Sequence, residues 1–201
     1  TRRAINSATS SLPIVASAVA MFVLARSLTG SSSAGVLAGV VFAFVPYRFE
    51  HYMHMELQWT MWTPLSFWAL HRTMETKAWR HGLLTGLFVA LQMLSSIYYG
   101  VFLGTLLGVS AVLLLISRTR DEWWPALRAL IPGALLALLL CGAYAIPYME
   151  TKDSMGGRPE AELVTFSARP SSYLVATPDN VMWGRSFASR GRLERRLFPG
   201  A

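Results

Sequence analysis

The sequence predicts an all-α protein, a polytopic transmembrane helix bundle of about six spans followed by a C-terminal extracytoplasmic segment. Three observations carry that prediction. Of the 201 residues, 53% are hydrophobic and 14% charged, against roughly 25% charged in an ordinary soluble domain, and mean hydropathy is +0.40. The apolar residues gather in runs separated by short polar or basic stretches. Glycine and alanine recur inside the runs, as in "SAGVLAGVVFA", "GLLTGLF" and "GVFLGTLLG", which suits helices packed closely in a bilayer, where small residues let backbones approach.

The runs lie near Leu12–Leu28, Ala34–Val45, Leu57–Leu70, Leu83–Leu94, Ile97–Ile116 and Ala126–Tyr148. A span needs about 20 mainly apolar residues, so the second, third and fourth must borrow polar flanks or tilt, and only the last two approach full bilayer length. Pro64, Pro132 and Pro147 can kink their helices, which bilayer neighbours tolerate. Residues 1–148 therefore read as the transmembrane region. From Glu150 the composition turns polar, with turn signals in "ETKDSMGGRPEAELVTFSARPSSYLVATPDN", so residues 149–201 read as an extracytoplasmic segment leading to a further, truncated span. The opening "TRRAINSATSSLPIVASAVAMFVLARSL" lacks the cleavage site and polar mature region that follow a secretory or twin-arginine signal, and the chain reads as an internal fragment of a longer membrane protein.

Charge sets the orientation. The net charge of +7 suits a nucleic-acid binder poorly, because the basic residues form short clusters between apolar runs and no base-stacking module is present. In an alternating six-span chain, Arg26, Arg72, Lys77, Arg80, Arg118, Arg120 and Arg128 fall on one side, and Arg2, Arg3 and Arg48 on the other. The positive-inside rule makes the first side cytoplasmic. Arg48 and Ser96 then share the outer face. Parity also places the tail outside, although it carries eight Lys and Arg against six Asp and Glu. The single cysteine, Cys141, sits in an apolar run and permits neither a disulfide framework nor a Cys-based metal site.

One stretch breaks the apolar pattern. "PYRFEHYMHMELQW", Pro46 to Trp59, holds Arg48, Glu50, His51, His54 and Glu56 between apolar segments. If Pro46 opens a helix, as proline at a first helical position does, Arg48, His51, His54 and Gln58 fall on one polar stripe at about 100° per residue. Glu50 lies beside His54 on that side, and Glu56 points elsewhere. Three readings stay open: a solvated outer loop with an aromatic belt of Tyr47, Tyr52, Trp59 and Trp62; an aqueous cavity whose ionisable groups hold an anion; and a metal site from His51, His54 and Glu50, for which His-x-x-His alone is not specific zinc spacing. "QMLSSIYYG", Gln92 to Gly100, interrupts two apolar runs at the same outer face, with a glycine that permits a sharp turn. It reads as a helical hairpin, or as a second wall of the same cavity through Ser96, Tyr98 and Tyr99. His71 and His81 belong to the cytoplasmic loop as surface residues. In the tail, Asp179 reads as a structural Asx turn, and Arg185, Arg190, Arg192, Arg195 and Arg196 as a cluster that meets lipid phosphate or headgroups.

The order of these features resembles bacterial multispanning proteins of the GT-C glycosyltransferase superfamily. The resemblance covers most of the chain and rests on "PYRFEHYMHMELQ" and "LSSIYYG", with "PSSYLVATPDNVMWG" and a closing "ERRLFPG". It implies a bacterial cytoplasmic (inner) membrane protein that transfers a sugar from a polyprenyl-phosphate donor, outside the membrane, by an inverting displacement. The implied partners are that lipid-linked donor, a cell-envelope glycan or lipid acceptor and membrane lipids, without nucleic acid. Arg48 would clamp phosphate, His51 and His54 would donate to phosphate or acceptor hydroxyl, Gln58 would orient, and Ser96, Tyr98 and Tyr99 complete the substrate-binding set. No cofactor is certain, and a divalent metal stays open. The chain departs from the family in one respect: the acidic catalytic residue usually lies in the first outer loop, and "TRRAINSATSS" has no carboxylate. The catalytic base is left unassigned. A transporter or flippase predicts polar positions in mid-helix and repeated halves, whereas here the polar groups gather at one face without a repeat; a noncatalytic scaffold needs only packing and headgroup contacts.

Overall fold

The computed structural model describes residues 2–51, 54–155, 160–176, 180, 183–187 and 196–197. Its helices are α1 (Arg2–Thr29), α2 (Ser32–Ala43), α3 (Pro46–Glu50), α4 (Trp62–Thr76), α5 (Trp79–Ser95), α6 (Ile97–Ile116), α7 (Arg120–Met155), α8 (Glu160–Phe166) and α9 (Gly184–Phe187), with single 3-10 turns at Met55–Leu57 and Pro170–Leu174. No strand occurs among the described residues. The chain divides into two compact units, one of Thr1–Ala43 with Glu56–Pro147 and one of Phe44–Met55 with Tyr148–Ala201.

The helices of the first unit form where the apolar runs lie. The bounds of α6 match the fifth run, and α7 carries the sixth through Pro132 and Pro147 as one continuous helix. Pro64 falls in the first turn of α4, where its missing N–H has no intrahelical partner to lose. Four segments are long and apolar enough to cross a membrane: Ser11–Thr29, Ser32–Phe49, Ile97–Ile116 and Arg120–Thr151. The second gains its length by continuing past α2 as far as Phe49. By contrast α4 and α5, with 15 and 17 residues, do not meet that measure, so four crossings rather than six follow from length and composition.

Burial in these helices is inverted relative to a water-soluble protein. On α6, Val101, Phe102, Leu106, Val109, Val112, Leu113 and Ile116 are all more than half exposed. The interior instead holds Ser17, Ser66, Thr73, Thr85 and Gln92, with Leu70, Met74, Leu103, Leu107 and Ala126. An apolar surface this continuous does not face water in a soluble monomer; it matches lipid, in which helices associate through close packing and internal hydrogen bonds. The chain is a membrane protein. The buried hydroxyls are satisfied locally: Ser66 donates to Trp62 O at 2.7 Å, Thr73 to Ala69 O at 2.7 Å and Thr85 to His81 O at 3.0 Å.

Small residues set the closest helix contacts. Gly82 and Gly86 on α5 face Ala129 and Gly133 on α7 so tightly that a Cβ at Gly82 would fall on the Ala129 carbonyl, and one at Gly86 on the Gly133 carbonyl. Gly39 of α2 lies against the Ala18 carbonyl of α1. Gly100 does not make the expected turn. It stands in α6, where the absence of a side chain lets the helix lie on Met93 of α5. The reversal itself takes one residue, Ser96, extended at φ −155°, which ends α5 and starts α6.

At the opposite end, Lys77 (φ 54°) closes α4 and donates to Glu122 in the first turn of α7. Arg118 approaches the same carboxylate at 3.7 Å. The clasp ties the α4–α5 turn to the α6–α7 turn.

Candidate functional site

The residues singled out in the sequence fall in both units. The second holds Arg48, His51 and His54. Pro46 stands at the first turn of α3, but the helix lasts only to Glu50, and His51 leaves it at φ −103°, ψ 28°. The polar stripe therefore does not run along one helix from 48 to 58. The carbonyl of Tyr47 accepts both from the His51 backbone N–H and from the His51 ring Nδ1, each at 3.1 Å. The His51 ring also stacks on Tyr47 at 4.1 Å between centroids.

A carbonyl oxygen only accepts, so the His51 ring that makes this bond carries a hydrogen on Nδ1. The His54 ring lies 6.1 Å from it, centroid to centroid, and is exposed, its backbone N–H donating to His51 O at 2.9 Å. Arg48 contrasts with both. At 4% exposure its side chain is buried in a helix of five residues. Glu56 is exposed. Among the described residues no group of three His, Cys, Asp or Glu is placed to hold a metal, and two imidazoles alone make an incomplete ligand set. Asp179, Arg190, Arg192 and Arg195 lie outside the described residues, as do Tyr52 and Met53; Arg185 is exposed and Arg196 half-buried.

The first unit holds Gln58, Ser96, Tyr98 and Tyr99. Gln58 and Ser96 are buried, at 4% and 7% exposure, Tyr99 is half-buried, and Tyr98 projects outward at 72%. Ser96 O accepts from Gly100 N at 2.9 Å and Ser96 N donates to Gln92 O at 2.9 Å, so the residue serves the reversal first.

A polar network beside these residues escaped the sequence reading. Gln92, fully buried on α5, donates through Nε2 to the Trp59 carbonyl at 3.2 Å and accepts at Oε1 from the Thr63 hydroxyl at 3.1 Å. On α1, the Ser17 hydroxyl donates to Pro13 O at 2.6 Å and lies 3.2 Å from Thr60 Oγ1. Residues 59–63, the entry to α4, are thus tied by side chains to both α1 and α5. The signal was present as one amide in an otherwise apolar run, because such a group inside a membrane needs an internal partner. Its partners were not legible. The Trp59 carbonyl and the Thr63 hydroxyl precede Gln92 by 33 and 29 positions in sequence, and only packing brings these elements together.

These features define a class: a polytopic α-helical membrane protein with a buried guanidinium in a short interhelical segment and a satisfied polar network at one end of its bundle. Comparison with known families, curated proteins and solved structures finds no match for the chain.

Proposed function

We propose that the chain is part of a membrane glycosyltransferase of the GT-C kind, which moves a sugar from a polyprenyl-phosphate donor to a cell-envelope acceptor outside a bacterial cytoplasmic membrane. The observation behind the reading is Arg48, buried at 4% exposure in the segment that also carries His51 and His54. A guanidinium stays charged in any protein environment, and its planar fork matches phosphate with two donors. Burying one in so apolar a chain is costly, and ionisable groups retained in such places mark substrate paths. In an inverting transfer the acceptor oxygen attacks the anomeric carbon opposite the phosphate. The glycosidic bond forms as the bond from carbon to phosphate oxygen breaks, the phosphate leaves with that electron pair, and a base takes the acceptor proton. Arg48 would hold the leaving phosphate and offset its growing charge; His51, with Nδ1–H committed to Tyr47, would meet a hydroxyl through Nε2. The base is not assigned to a residue.

Arg48→Lys keeps the charge and loses the fork, so transfer from a polyprenyl-phosphate sugar in isolated membranes should fall roughly 10²-fold or more, with abundance unchanged. His51→Ala should show the same pattern and Glu56→Gln should not. Normal transfer in both Arg48→Lys and His51→Ala, or an equal loss in Glu56→Gln, sinks the reading.

The proposal takes α4 and α5 as further crossings, tilted or in locally thinned bilayer, for six in all. In a Cys141→Ser background, cysteines at 30 and 77 should then react from one side of the membrane and a cysteine at 96 from the other. Labelling of 77 and 96 from one side would remove α5 as a crossing.

A further inference from the structure

A groove of about 340 Å³ lies between α1, α4 and α6 in the first unit, lined by Leu24, Leu28, Phe67, Leu70, His71, Ser110, Leu113 and Leu114. It is of ligand-pocket size. Leu70 is buried at 2% exposure, whereas Leu28 and Leu113 are 54% and 62% exposed. Ser110 and His71 are its only polar members, and the side chain of Ser110 is smaller than those of Leu113 and Leu114, which line the groove beside it on α6.

The groove lies toward the basic end of the bundle. Its lining comes from the last two turns of α1 and α6 and from Phe67, Leu70 and His71 of α4, where His71 reaches Glu75 of the last turn, and Lys77 just after α4 is clasped to Glu122 at the start of α7. Around these turns Arg26, Arg72, Lys77, Arg80, Arg118 and Arg120 stand against Glu75, Asp121 and Glu122, a net charge of +3. Glu75 is engaged by Arg72 at 2.9 Å and by His71 at 3.1 Å. Arg26, Arg80 and Arg120 reach no carboxylate within ion-pair distance among the described residues. Arg26 and Arg120 stand over the Phe22 and Trp123 rings instead, each 5.9 Å from the centroid, so the positive excess of this end is not paired off by carboxylates among the described residues.

We propose that this groove seats one acyl chain of an anionic phospholipid, with the phosphate at the level of His71 among the basic residues of that end. The groove lies on helices whose exposed faces match lipid, so an acyl chain is the apolar partner at hand. The charge excess selects the headgroup, since basic residues at a membrane surface attract anionic lipid and a neutral lipid gains nothing from them. The inference does not depend on the glycosyltransferase reading, and its test involves no sugar transfer.

The full chain is placed in phosphatidylcholine nanodiscs doped with equal mole fractions of either phosphatidylglycerol or phosphatidylcholine carrying a photoreactive group on the acyl chain, and labelled peptides are mapped by mass spectrometry. Phosphatidylglycerol should label residues 24–28 and 110–114 roughly fivefold more than phosphatidylcholine for each basic residue engaged. Ser110→Phe, which fills the groove, should abolish that preference and leave labelling at Val101 and Phe102 unchanged. Equal labelling by the two lipids, or an unchanged preference in Ser110→Phe, overturns the proposal. Should Ser110→Phe fail to fold, competition in the wild type decides: unlabelled phosphatidylglycerol alone suppressing groove labelling supports the seat, and equal suppression by phosphatidylcholine refutes it.

Discussion

Replacing Gln92 by leucine isolates the polar network from the packing around it. The side chain is fully buried and makes two side-chain hydrogen bonds, to the Trp59 carbonyl at 3.2 Å and from the Thr63 hydroxyl at 3.1 Å. Leucine fills similar space and makes neither. Side-chain hydrogen bonds inside membrane proteins contribute about 0.6–1.7 kcal/mol each, so loss of both should destabilise the bundle by about 1–3 kcal/mol. The lower end of that range applies if Thr63 turns its hydroxyl back to a carbonyl of its own first turn, which its position in α4 permits. Reversible unfolding in mixed micelles titrated with sodium dodecyl sulfate, followed by helix circular dichroism, reads the change. A double-mutant cycle with Thr63→Val should return a coupling of about 0.6–1.7 kcal/mol. If Gln92→Leu unfolds within about 0.3 kcal/mol of wild type, the network does not hold the entry of α4 in place, and the distances describe proximity without energetic consequence.

Other outcomes follow from the same structure. Gly86→Leu should abolish the α5–α7 contact and yield a protein that is not monodisperse in detergent, because its Cβ would meet the Gly133 carbonyl. Gly104→Ala, on a glycine with open space around the added atom, should be neutral or stabilising by up to about 1 kcal/mol, since alanine is the better helix former; a similar loss in both variants would contradict the assigned contact. Glu122→Gln should unfold below wild type at low ionic strength and converge with it in high salt, because the Lys77 clasp is a partly exposed ion pair; a gap that persists in high salt would mean the clasp acts through packing rather than charge.

The helices and their lipid setting were legible in the sequence because both depend on near-neighbour patterns. A continuous apolar run such as Ile97–Ile116 satisfies its own backbone only as a helix and its side chains only in lipid, whatever surrounds it. Three things needed the tertiary structure. The run from Pro46 to Gln58 has a helical polar stripe on paper, yet the helix stops at Glu50 and His51 leaves it. The "GLLTG" motif announced a close approach without naming its partner, and Ala129 and Gly133 emerged only once α7 crossed α5. Gln92 announced a need for partners in the same way, and found them in Trp59 and Thr63 of another helix entry. Periodicity and hydropathy are properties of neighbours in the chain. The identity of a hydrogen-bond acceptor or a facing carbonyl depends on which helices meet, and that is set by the packing of every residue between them.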